Sequence, residues 1–245
     1  MKLFQRIFFA AVLAGLAAGL AMAAIQQWKV APLILEAEIY ENAAPAEAAP
    51  VHTHDAATPA HEHDEDAWAP QDGVERAGYT VLADLLVSMG FALLLAAVSV
   101  LAGIEITVRN GLIWGLGGFV AFQLAPALGM APELPGMPAA DLVARQGWWV
   151  ATALTTGAGL LAVAKFRNWT AVGAAAVLLL LPHIIGAPQL SGDHASGVPA
   201  HLATEFAAAA LAAGAVFWLL VGPLLGYLNQ RFAAAAAVSF KGAHA

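Results

Sequence analysis

The chain has 245 residues, 60% of them hydrophobic and 11% charged, with a formal net charge of −7 and no cysteine; its mean hydropathy is +0.72. Soluble domains carry roughly 25% charged residues, so the composition excludes an ordinary soluble fold and indicates a polytopic membrane protein. Without cysteine, disulfides and thiolate metal sites are excluded, and without a dense basic patch a nucleic-acid partner is not expected.

A bilayer core about 30 Å thick takes a helix of about 20 apolar residues. Six runs qualify in chain order: 4–25, 79–102, 111–130, 148–164, 170–185, and 202–222 or a little beyond. The fourth and fifth are short. The first, within MKLFQRIFFAAVLAGLAAGLAMAA, also has the basic start, apolar centre and Ala-x-Ala exit of a signal peptide. Its length favours an uncleaved span; cleavage would leave five. The expected fold is therefore all-α, a bundle of six transmembrane helices. It divides into residues 1–35 (first helix and exit), 36–75 (an acidic, histidine-rich loop) and 76–245 (a five-helix bundle with a short tail).

Charge is segregated along the chain. Residues 36–75 hold eleven Asp/Glu and no Lys/Arg, whereas the remainder holds ten Lys/Arg against six Asp/Glu. The loop is rich in Ala, Pro and acid and poor in apolar bulk, so it is expected to be flexible without a ligand. Its edges, LILEAEIY and GVERAGYT, are readable as helical extensions. With the N-terminus in the cytoplasm, Lys2, Arg6, Arg109, Lys165, Arg167, Arg231 and Lys241 lie inside, and Lys29, Arg76 and Arg145 outside. That bias follows the positive-inside rule. It places both termini in the cytoplasm and the loop in the periplasm of a bacterial inner membrane.

The third run closes with LAPALGMAPELPG and the fifth with LLPHIIGAPQL. Proline removes a backbone donor, so these ends are either broken helices of a transport site or plain helix ends at the interface. Gly15-x-x-x-Gly19 and Gly222-x-x-x-Gly226 permit close helix approach. KFRNW reads as a tight basic turn, Glu105 and Arg109 as a surface pair, and Trp148, Trp149 and Trp169 as interfacial anchors.

The chemistry concentrates in VHTHDAATPAHEHDEDAW. His52-x-His54 and His61-x-His63 are followed by Asp64, Glu65 and Asp66. Imidazole suits Co²⁺, Ni²⁺, Cu²⁺ and Zn²⁺ and carboxylates add charge, without naming one metal, and the imidazoles bind when neutral. A flexible donor loop captures and releases ions readily, as a collector does. Asp84, His183, His194, His201 and Glu205 fall in the outer third of the membrane or next to it. Ionisable groups there are costly and are functional candidates by default. They are expected to line an entry vestibule under the loop, with His183, His201 and Glu205 as metal ligands and Asp84 and His194 serving path or packing. The other reading is helix capping, snorkelling and an Asp84–His201 pair. Neither a phosphate-binding Gly-rich loop nor a His-Glu-x-x-His motif occurs. The chain is therefore not read as an enzyme, and no permanently bound cofactor is expected.

The segments APLILEAEIYE, WAPQDGVERAGYTVLADLL, GLIWGLGGFVAFQLAPALGMAPELPG, RQGWWVATALTTGAGL, LPHIIGAPQ and VPAHLATEFAAAALAAGAVFWLLVG run nearly end to end. In this order they resemble the CbtA family, proposed cobalt transporter subunits. The resemblance implies an inner-membrane protein of cobalt uptake for cobalamin synthesis. It also implies a small one-span, histidine-containing companion subunit, with oligomers allowed. His183 matches the family's PHxxGAPQ motif, and the loop histidines match a variable His-rich region. The family more often has Glu at position 201 and often Asn at 84, which leaves Asp84 the weaker assignment. Cobalt rests on the resemblance alone. The competing expectation is a membrane-anchored metal receptor, or a structural subunit that does not itself conduct the ion.

Overall fold

The computed structural model describes residues 2–43, 68, 70–190 and 196–242, and among these every regular element is helical. In order they are α1 (Lys2–Ile25), a π-helical segment (Gln26–Val30), α2 (Ala31–Ala43), α3 (Val74–Ala102), α4 (Val108–Phe119), a second π segment (Val120–Leu124), α5 (Ala125–Gly129), α6 (Leu142–Phe166), α7 (Trp169–Ile185) and α8 (Ala200–Gly242). Five stretches are long and apolar enough to cross a membrane, and α7 is a shorter apolar sixth. The chain is a polytopic membrane helix bundle.

The loop edges extend the helices, as their sequences suggest: α2 runs to Ala43 and α3 begins at Val74. At about 1.5 Å per residue, the 39 residues of Leu3–Glu41 span nearly 60 Å. That is about twice the hydrocarbon thickness, so α2 stands well clear of the apolar core. Each π segment runs straight into an Ala-Pro pair, Ala31-Pro32 and Ala125-Pro126. A proline lacks the N–H and its ring crowds the preceding turn; a wider turn accommodates that crowding. The third run is therefore one continuous helix, α4–π–α5, with a π turn ahead of Pro126 and its end at Gly129.

Short connections are built from local caps. Gly103 ends α3 in the left-handed region (φ 68°), and its N–H reaches Ser99 O and Val100 O. Thr107 and Asn110 form a reciprocal capping box at the start of α4. Glu105 therefore precedes the helix and does not share a face with Arg109, and no ion pair joins them among the described residues. KFRNW makes the expected tight turn, with Arg167 left-handed (φ 52°) after α6 and Asn168 capping α7 through Ala171 N.

Helix α8 is the axis. It packs on α1 and α4; α3 packs on α1; α6 joins α5 and the second π segment; α7 packs on α6 and reaches α5. The α1–α3–α8 core is made of small residues, Ala10, Ala11, Ala14, Ala18, Ala92 and Ala96, closed by Phe217, Trp218 and Leu225. Without a strong hydrophobic force between helices in lipid, close van der Waals packing of small residues carries the association. Both glycine pairs serve this purpose. A Cβ on Gly15 would lie 2.7 Å from Met89 Cα, and one on Gly222 would collide with Gly111 O. Phe122 stacks on Trp218 at 5.8 Å, and Phe91 meets Trp218 edge-on at 5.3 Å. A second cluster, Leu33, Ala37, Leu134, Val198 and Leu202, caps the end of the bundle where the 44–67 segment leaves α2.

Candidate functional site

His52, His54, His61, His63, Asp64 and Asp66 lie outside the described residues, as does His194. The structure does describe where their segment is anchored. Arg76, near the start of α3, forms a fork with the Glu38 carboxylate of α2: Nη1 donates to Oε2 at 2.9 Å and Nη2 to Oε1. Arg76 also donates to Asp72 at 3.2 Å. The side chains of Arg76 and Glu38 are 33% and 27% exposed, and the bidentate geometry fixes direction as well as charge. The two ends of the acidic segment are thus clasped together.

The start of α8 joins the same end of the molecule. Leu202 and Val198 pack against Leu33 and Ala37, and Gly197 lies close to Tyr40 O. His201 and Glu205, four apart, share the exposed face of α8. Both stand beside the exit of α2, available from outside the bundle.

Asp84 does not take the expected partner, and no hydrogen bond to its carboxyl is seen among the described residues. His201 is exposed on α8, so no Asp84–His201 pair forms. Oδ2 of Asp84 and Oγ of Ser88, one turn further along α3, are both buried without a hydrogen-bond partner. Ser88 packs against Gly19, where a Cβ would sit 2.8 Å from the serine Cβ.

His183 is also engaged. Nδ1 lies 2.9 Å from Leu179 O and Nε2 lies 3.0 Å from Ala125 O. A neutral imidazole carries one N–H, so only its doubly protonated form donates to both carbonyls. Beside it, buried Trp148 donates its indole N–H to Pro182 O at 3.1 Å and meets the His183 ring edge-on at 5.7 Å. Trp148 is thus a packing residue, not the expected interfacial anchor; Trp169 is 88% exposed. A Cβ at Gly129 would strike Trp148, and Arg145 donates to Glu133 at 2.6 Å. LAPALG, PELPG, RQGWW and PHIIGAPQ therefore converge on one knot joining α5, α6 and α7.

These placements separate the vestibule residues. Asp84 belongs to the α1–α3 seam, His183 to the α5–α6–α7 knot, and His201 and Glu205 to the exposed start of α8. No three His, Asp or Glu side chains come together to hold a metal among the described residues. Sequence reasoning missed the Arg76–Glu38 clasp and the Trp148–Pro182 bond. It also missed the π segments, although the repeated Ala-Pro pair was a visible signal for those.

No curated protein and no solved structure matches the chain. A family model matches residues 4–230, nearly the whole length, and carries the description "probable cobalt transporter subunit". With its helical membrane bundle and that match from end to end, the chain belongs to the CbtA family.

Proposed function

We propose that the chain is the membrane subunit of a cobalt uptake system of the bacterial inner membrane, in which the 36–75 segment collects the ion outside. The observation that carries the reading is the family match across residues 4–230. The clasp of Glu38 and Arg76 supports it, because it keeps both ends of the histidine-rich segment beside the α8 start. His52, His54, His61, His63, Asp64 and Asp66 serve as the collecting ligands, and His201 and Glu205 receive the ion at the rim. His194, close before α8 in sequence, belongs with the rim. His183 can ligate only by giving up a carbonyl contact, and Asp84 serves the α1–α3 seam. Co²⁺ is cargo; Ni²⁺ and Zn²⁺ fit the same nitrogen and oxygen donors. Both termini face the cytoplasm, the chain catalyses no reaction, and a small one-span companion completes the transporter for cobalamin synthesis.

The test is accumulation of radiolabelled cobalt in cells carrying the chain, the companion, both or neither. Uptake requiring both is expected. Uptake unchanged without the chain overturns the reading. Metal binding by the purified chain with no accumulation identifies the receptor or structural subunit instead.

A further inference from the structure

A cavity of about 260 Å³ opens at the opposite end of the bundle, lined by Leu3, Arg6 and Ile7 of α1, Ser99 near the end of α3, Glu105 beyond it, and Asn229 of α8. Two polar atoms in its wall are buried and unpartnered: Arg6 Nε, a donor, and Asn229 Oδ1, an acceptor. Asn229 is only 6% exposed, so its free oxygen is costly unless something occupies the site. Ser99 is not in need of a partner, because its hydroxyl donates to Ile104 O at 2.8 Å. Arg6 and Glu105 share the wall but make no ion pair, among the described residues.

The level of the cavity identifies the occupant. It sits where α3 ends at Ala102 and where α1 is in its first turns, the depth at which headgroups meet a membrane helix. Around it Phe4, Val100 and Leu101 are 73%, 57% and 84% exposed, an apolar flank for acyl chains. The cavity wall carries one cation and one anion, Arg6 and Glu105, and guanidinium suits a phosphate oxygen. Glu105 disfavours a second negative charge and favours a cation. A volume of this size equals roughly eight waters at about 30 Å³ each, the scale of a phosphoethanolamine group. We infer that the cavity binds the headgroup of a zwitterionic phospholipid, with Arg6 on the phosphodiester and Asn229 Oδ1 and Glu105 on the ammonium.

The full chain in mild detergent, titrated with phosphatidylethanolamine, phosphatidylglycerol or inorganic phosphate and read by native mass spectrometry, tests this. Phosphatidylethanolamine is expected to be retained over phosphatidylglycerol. Arg6→Gln should lower its retention at least tenfold. Glu105→Gln, at an exposed position that leaves the core intact, should erase the preference between the two lipids. Equal retention of phosphatidylethanolamine by Arg6→Gln and wild type overturns the inference. So does full displacement of the lipid by inorganic phosphate, which would mark a free-anion site, or a preference between the lipids that survives Glu105→Gln.

Discussion

The role of His183 can be decided by a matched pair of substitutions, His183→Leu and His183→Gln. The imidazole bridges α7 to the chain just after the second π segment, through Nε2 and Ala125 O at 3.0 Å. Its other nitrogen stays on its own helix, at Leu179 O. Leucine keeps most of the volume but removes the bond between α7 and Ala125 O, which keeps its place in the α5 ladder. A lost hydrogen bond of this kind costs about 0.5–1.5 kcal/mol. The edge-on contact with Trp148 at 5.7 Å adds about 0.5–1 kcal/mol of packing. His183→Leu should therefore lose about 1–2.5 kcal/mol, the sum of those two losses. Glutamine has an amide N–H that can reach the same carbonyl, so His183→Gln should lose about half as much. The measurements are thermal unfolding in detergent and cobalt accumulation in cells. If the histidine positions α7, accumulation should follow stability in both variants, with glutamine largely rescuing it. The reasoning is refuted if His183→Gln unfolds like wild type and yet abolishes accumulation, for then the imidazole is needed as a ligand.

Other consequences follow from the same structure. Gly222→Val forces a side chain onto Gly111 O across the α4–α8 contact; overpacking should cost about 1–3 kcal/mol, seen as a lower unfolding midpoint, with Gly78→Ala, where nothing lies within 4 Å, as the silent control. Glu38→Gln removes a part-exposed ion pair, and its stability effect should stay near or below about 1 kcal/mol and shrink further in high salt. Changing His52, His54, His61 and His63 together to Ala should raise the cobalt concentration for half-maximal accumulation without abolishing it; complete loss, with the protein still in the membrane, would contradict the collecting role. Asp84→Asn keeps the size and shape of the side chain and should leave stability nearly unchanged, so a selective loss of accumulation would assign Asp84 to the path.

Much of the fold is legible in the sequence because the bilayer is a strict solvent. Every backbone polar group must be paired within it, so an apolar run of sufficient length is a helix almost by default. That is why six runs lead to the helices observed, and why Asn168 and the glycine pairs are readable where they fall. The side-chain partners are less legible. Trp148 carries the mark of an interfacial anchor, an aromatic near a helix start with a polar handle. Its indole instead finds Pro182 O, since a proline turn next to it supplies an acceptor that sequence spacing does not reveal. Asp84 and His201 suggest a pair because both are rare ionisable groups at one depth. The topology puts α3 against α1, so Asp84 lies in that seam while His201 stands exposed on α8.

The convergence of motifs changes what family likeness means for the site. LAPALG, RQGWW and PHIIGAPQ look like chemistry because they carry His, Pro, Trp and Arg at fixed spacing. In the structure their polar side chains are already engaged: Trp148 on Pro182 O, His183 on Ala125 O, Arg145 on the Glu133 carboxylate. A motif of that kind holds α5, α6 and α7 in one arrangement and leaves few donors over for an ion. The residues with spare capacity lie elsewhere. His201 and Glu205 are exposed at the α8 start, and the Asp84 and Ser88 oxygens are unpartnered in the α1–α3 seam. A metal needs lone pairs that are not already committed. The physical argument therefore moves the proposed rim from the most recognisable motifs to the exposed start of α8, and leaves the Asp84 and Ser88 oxygens as uncommitted acceptors of the seam beside α1.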